Sequence, residues 1–182
     1  MTGAAGAQAP RPAYTVTYLA MTAPCPPAGP APEGLALLRS EAPPAWWFLA
    51  LYDAVGSDYL WEDAHHRPRA EIEAFVGHPR AALWTLMGGG WPQGFFLLDA
   101  RELDAREAGS CDLAYFGLVP QAVGRGWGRW FLRAALERAW AMPGVARVTV
   151  NTCTLDHPRA LPNYLAAGFE ILRREHRPEG SP

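Results

Sequence analysis

The sequence lacks most of the features that would set it apart from an ordinary globular domain. Only three of its 182 residues are cysteine, Cys25, Cys111 and Cys153. An odd number at wide spacing excludes a disulfide scaffold and a zinc cluster, so a reducing, cytoplasmic setting and no bound metal are expected. No apolar run approaches the length of a membrane span, and the opening MTGAAGAQAPRPAY lacks the basic-then-apolar order of a signal peptide. A membrane partner is therefore not expected. Positive charge is not in excess either, with a formal net charge of -2. That argues against nucleic acid, which asks for enough basic surface to neutralise several phosphates, and leaves a cationic small molecule compatible.

What is present is a globular composition, 49% hydrophobic and 19% charged. The length suits one domain with a sizeable core. The 18 prolines and 18 glycines belong in loops. A disordered tail is expected over residues 1–12 and a single domain over 13–178, as a monomer or homodimer, with no internal repeat.

Periodicity gives the order of elements. Tyr14–Met21 alternates as a strand and runs into the proline-rich loop APCPPAGPAPEG. PAWWFLALYDAV, from Pro44 to Val55, is apolar almost all round and reads as a buried helix. Pro68–Val76 reads as a second helix, with the aromatic and ionisable loop GSDYLWEDAHHR between them. Ala81–Met87 and Gly94–Ala100 read as strands joined by GGGWPQ, and Cys111–Val119 as a third. Gly128–Ala141 puts Phe131, Leu132, Ala135, Leu136, Ala139 and Trp140 on one face, which predicts an amphipathic helix. Strands over Arg147–Thr154 and Phe169–Arg174 flank a short helix. Hairpins followed by one strand–helix–strand crossover imply a mixed sheet with helices on its faces, a mixed α+β fold of the α/β kind.

The turn Val123-Gly124-Arg125-Gly126-Trp127-Gly128 lies where a strand ends and a helix begins. Free amide N–H groups and the helix dipole converge there, which makes either an anion site or simply a tight turn. Arg125 and Arg129 can add charge from the rim. No Gly-Lys-Ser/Thr ending marks a P-loop, and Gly-x-Gly-x-Gly misses the third glycine position of a dinucleotide fingerprint.

The stretch LVPQAVGRGWGRWFLRAALERA resembles the acetyl-CoA-binding motif of the GNAT (GCN5-related N-acetyltransferase) superfamily, Arg/Gln-x-x-Gly-x-Gly/Ala between a strand and a helix. With Gly126 and Gly128 as the motif glycines, Phe131 and Leu132 fall at the family's large apolar positions and Val123 at its Arg/Gln position. A register from Gln121, using Gly124 and Gly126, puts Arg129 and Trp130 at the apolar pair and is disfavoured. Asp156 to Phe169, DHPRALPNYLAAGF, is similar without a gap to the closing motif Asn-x-x-Ala-x-x-Leu-Tyr-x-x-x-Gly-Phe, with His157 at the Asn position and Asn163 at the Leu position. Together the motifs span roughly residues 112–174.

The resemblance implies a GNAT fold: a mostly antiparallel mixed sheet splayed at the cofactor site and flanked by about four helices. It implies acetyl-CoA as cofactor, with the pyrophosphate on backbone amides from Val123 through Gly124, Arg125, Gly126, Trp127 and Gly128 to Arg129. It also implies that main-chain groups of Leu118 and Val119 meet the pantetheine arm, that His157 stands beside the cofactor, and that Tyr164 is the general acid near the sulfur. Asp112 resembles the position of the base glutamate in histone-type members; a water chain ending on Tyr115, Asp112 or a histidine is the alternative. The early helices and their loop would form a wall of the acceptor site, making Trp46, Trp47, Tyr59, Trp61 and Tyr115 candidate substrate-binding residues, in a region that also holds Tyr52, Glu62 and Asp63. Aromatic faces and acids suit a cationic amine. His65-His66 lacks a third metal ligand nearby. The expected activity is acetyl transfer to a primary amine by direct attack; the alternative is a catalytically silent acyl-CoA-binding module of the same fold.

Overall fold

A computed structural model describes residues 11–101 and 109–181. The expected disordered tail falls, apart from residues 11 and 12, outside the described residues. The elements run β1 (Tyr14–Met21), β2 (Leu35–Ser40), α1 (Ala45–Gly56), α2 (Arg69–Val76), β3 (Ala81–Gly88), β4 (Trp91–Asp99), β5 (Ser110–Leu118), α3 (Trp127–Trp140), β6 (Arg147–Cys153), α4 (Ala160–Ala167) and β7 (Glu170–Arg177), with single 3-10 turns at Ser57–Tyr59, Asp63–His66 and Pro120–Ala122.

The strands form one seven-stranded sheet in the order β2-β3-β4-β5-β6-β1-β7. All pairs are antiparallel except β5 with β6, and that pair holds only from Ser110–Asp112 against Arg147–Thr149. Beyond Asp112, β5 stays with β4 and β6 stays with β1, so the sheet opens into a wedge. This is the mixed, splayed sheet that the motifs implied.

Both faces of the sheet are covered, which explains why its central strands read as nearly continuous apolar runs. Leu83, Phe95 and Leu97 pack with Phe48, Tyr52, Val55, Ile72 and Phe75 of α1 and α2. Phe96, Leu98 and Leu113 pack with Phe131, Leu132 and Leu136 of α3 and with Tyr164 of α4. In α1 the buried positions Ala45, Phe48, Leu51, Tyr52 and Val55 form one stripe, and Trp46 on the other side is 57% exposed. The β3–β4 hairpin closes on Gly89 and Gly90, with φ of +59° and +87°, the left-handed pair that a two-residue loop needs. Among the described helices none is long and apolar enough to cross a membrane.

One feature departed from sequence expectation. The edge strand β2 was not expected, because it follows a proline-rich loop and alternates only weakly, with Ala36, Leu38 and Arg39 exposed. Strand β1 lies between β6 and β7, not beside its neighbour in sequence.

Candidate functional site

The wedge between β5 and β6 opens onto a cavity of about 870 Å³. It is lined by Leu113 to Leu118 of β5, by Tyr164, by the glycine turn, and by the segment Tyr59–Asp63 together with Arg11 and Tyr14. Because β6 has left β5 by this point, the β5 edge facing the cavity has main-chain groups unclaimed by a neighbouring strand.

The turn before α3 is built on glycines and has no side-chain cap. Gly124 and Gly126 adopt φ of +84° and +83°, a region disfavoured for residues with a Cβ. A Cβ built on either would meet no atom within 4 Å, so backbone conformation rather than crowding selects glycine. Gly126 caps α3 without a side-chain hydrogen bond, so no capping side chain serves the first-turn amides of Trp127, Gly128 and Arg129, an arrangement that suits an anion. Arg125 braces the turn: its Nε donates to the carbonyl of Gln121 at 3.0 Å, and its guanidinium lies 5.1 Å from the Trp127 ring centre. Arg129 and Arg159 line the cavity and bring positive charge.

Tyr164 is 6% exposed, with its ring among Phe116 and Phe169, and its hydroxyl has no hydrogen-bond partner among the described residues. Burial, followed by the charges of Asp156 and Asp112, raises the phenol above its ordinary value, so it stays protonated. A buried donor without a protein partner, facing a cavity, is suited to a ligand atom.

Also in the lining, Asp156 accepts from Trp61 Nε1 at 3.2 Å, Thr152 Oγ1 at 2.7 Å and the Cys153 amide at 2.9 Å. Asp63 accepts from Tyr52 Oη at 2.8 Å and Tyr115 Oη at 2.6 Å. Burial, and then Asp63 itself, raises both phenols, which keeps them as donors. The rings of Phe48, Tyr52, Trp61, Phe95 and Tyr115 interlock at centre distances of 5.4–6.4 Å, holding these hydroxyls in place. The Nδ1 of His157 accepts from the Arg159 amide at 3.1 Å, and its ring meets Tyr59.

Of the sequence-predicted residues, Leu118, Val123, Gly124, Gly126, Trp127, Gly128, Arg129, His157, Tyr59, Trp61, Tyr115 and Tyr164 all line this one cavity. Asp112, Val119, Arg125, Trp46 and Trp47 do not. Asp112 sits at the apex of the wedge, where Thr149 Oγ1 donates to it at 2.6 Å. The Val119 amide donates to the Gln93 carbonyl at 3.0 Å, and the Val119 carbonyl accepts from Ala122 at 2.9 Å. Trp47 Nε1 donates to Ser40 Oγ at 3.2 Å, and its ring packs against the core under α1 and α2. Sequence reasoning assigned no role to Asp156, Arg11 or Arg159; the first and last lie in the quoted closing motif, whereas Arg11 reaches the cavity only through tertiary folding.

The fold is that of the GCN5-related N-acetyltransferases. The chain superposes on a GCN5-related N-acetyltransferase from Sphaerobacter thermophilus with a TM-score of 0.61 at 20% identity, over 96% of this chain and 54% of that one. A tandem GNAT protein of the clavulanic acid biosynthesis pathway gives 0.60 at 19% identity, over 96% and 56%. An aminoglycoside acetyltransferase from an uncultured soil metagenomic sample gives 0.59 at 12% identity, over 74% and 88%. The chain thus spans little more than half the length of the first two. No family model and no curated protein matches the sequence.

Proposed function

We propose that this protein is a GNAT-type acyltransferase that moves an acetyl group from acetyl-CoA to a primary amine. The observation that carries this reading is the convergence, in one cavity at the sheet's wedge, of the uncapped start of α3 and the unpartnered hydroxyl of Tyr164. The residues fit the donor. The amides of residues 127–129 and the guanidinium of Arg129 suit a pyrophosphate, and the open edge of β5 at Ala114–Leu118 suits an amide-bearing arm laid alongside it. Acetyl-CoA bound there supplies a thioester already activated for attack.

The chain's own groups do the rest. Tyr164 Oη holds its proton against negative charge developing in the cavity; because burial makes it a weak acid, hydrogen-bond donation is its main contribution. The aromatic wall of Tyr59, Trp61 and Tyr115 excludes water from one side of the acceptor, and the carboxylates of Asp63 and Asp156 favour an approaching cation. The three free cysteines support a reducing, cytoplasmic setting. The domain is read as residues 13–178, with Arg11 just before it also lining the cavity. The silent acyl-CoA-binding module is the second reading, and Tyr164 weighs against it, since such a module gains nothing from a buried donor without a protein partner.

A panel of primary amines, monitored by release of the CoA thiol, tests the reading. Release that depends on both acetyl-CoA and an amine supports it, and CoA binding without release to any amine favours the silent module. None of the 182 residues is lysine, so acetylation of the enzyme's own lysines cannot contribute to the signal.

A further inference from the structure

We infer that the acceptor carries a second positive charge, held by Asp63, so that the substrates are small di- and polyamines. The inference rests on the acyl-transfer reading for the fate of the other amine, but its anchor stands on separate observations. Three carboxylates line the cavity, those of Glu62, Asp63 and Asp156. Glu62 faces Arg11 at 3.8 Å. Asp156 accepts three protein donors, one of them a main-chain amide, and so fastens Trp61 to the end of β6. Asp63, which like Glu62 has an arginine neighbour, differs from both in being braced by two phenols. It takes one phenol on each oxygen, and an ionised carboxylate offers about four acceptor positions, so capacity remains for an ammonium donor. Its cationic neighbour, Arg67 at 3.5 Å, is four residues on, and both side chains are about half exposed, a weak pairing that a cavity ligand can compete with.

The anchor is tied to the rest of the cavity by a chain of contacts. Asp63 bonds Tyr115, whose ring centre lies 5.7 Å from that of Trp61, whose indole in turn bonds Asp156. Asp156 is, with Asp112, a carboxylate whose charge bears on Tyr164. One aromatic wall thus links Asp156 to Asp63, the carboxylate braced by two phenols, in the cavity that Tyr164 also lines. An amine reacting near Tyr164 leaves Asp63 to a second nitrogen on the same molecule. Tyr115 and Trp61 supply aromatic surface between the two, suited to the methylenes of the linker and to its charge.

The test measures binding and turnover separately. Calorimetry on the CoA-saturated protein compares straight-chain diamines of three to six carbons with the monoamine of equal length, for wild type, Asp63→Asn and Tyr115→Phe. The expected result is at least one diamine bound tenfold or more tighter than its monoamine, with that preference lost in Asp63→Asn and reduced in Tyr115→Phe at unchanged CoA affinity. Equal binding of every pair by the wild type overturns the inference, as does a preference untouched in both variants. Thiol release with acetyl-CoA then judges the underlying reading. An Asp63-dependent preference without release keeps the anchor and removes acyl transfer, whereas release with mono- and diamines alike keeps acyl transfer and removes the anchor.

Discussion

Thr149 Oγ1 donates to Asp112 Oδ1 at 2.6 Å on the last rung that β5 and β6 share, so this hydrogen bond pins the point from which the sheet opens. A hydrogen bond to a charged group is worth about 1.5–3 kcal/mol. Asp112→Ala should lower unfolding stability by roughly that amount, measured by denaturant titration. Asp112→Asn, which keeps an acceptor, should retain the acidic limb of the pH profile of kcat/KM. Loss of that limb would instead make Asp112 the base.

Tyr164→Phe deletes a buried hydroxyl without a protein partner and keeps the ring packing against Phe116 and Phe169. Stability should hold or rise slightly, because no protein hydrogen bond is lost. Hydrogen-bond donation to developing charge typically contributes about 10²–10³-fold, so kcat and kcat/KM should fall together by that order with KM little changed. Wild-type turnover in a folded variant would remove Tyr164 from the chemistry.

At Gly126, φ is +83° and an added Cβ meets nothing within 4 Å. Gly126→Ala and Gly126→Asp should therefore share a conformational cost of about 1–2 kcal/mol in thermal unfolding. Only the aspartate brings negative charge to the turn, so it alone should lose tenfold or more in CoA affinity by calorimetry. Equal CoA affinities in the two variants would move the pyrophosphate elsewhere.

Gly117 lets α1 approach the cavity strand, and a Cβ there would overlap Val55 Cγ1. Gly117→Ala should cost about 1–3 kcal/mol from overpacking. Val55→Ala in the same chain should restore part of it, which a double-mutant cycle in denaturant would read as coupling.

The thiol of Cys111 is fully buried, and burial, followed by the charges of Asp112 and Asp99, pushes it up to about 12. The unfolded thiol ionises near 8.5, so above that pH the unfolded state releases a proton that the folded state keeps. Stability should therefore be intact below about pH 8.5 and fall by about 1.4 kcal/mol per pH unit on account of this group as pH rises towards 12. Cys111→Ala should flatten the slope between pH 9 and 10 by that amount.

How much of this was legible in the sequence differs by element. The α3 turn and α4 could be read because backbone conformation dictates their residues: Gly124, Gly126 and Gly168 all have positive φ. Local chemistry of that kind survives in a single sequence. The role of Asp63 was legible only as composition, since its phenol partners Tyr52 and Tyr115 come from a helix and a strand that meet only in the folded chain. Asp112 shows another limit: its place before the turn suggested chemistry, and Thr149, which donates to it, is thirty-seven positions away. Edge strand β2 buries little, so burial had left little pattern in its residues to read.

The position of β1 also bears on how the chain comes to order. Tyr14 pairs with Arg177 and Val16 with Cys153, so β1 emerges from the ribosome long before either of its partners exists. Until then an apolar strand, TVTYLAM, has both edges open and must avoid other chains. Contacts between such distant positions close the largest loops and form slowly. Tyr14 and Val16 also line the cavity, so the pocket itself is completed only when the two ends of the sequence have met.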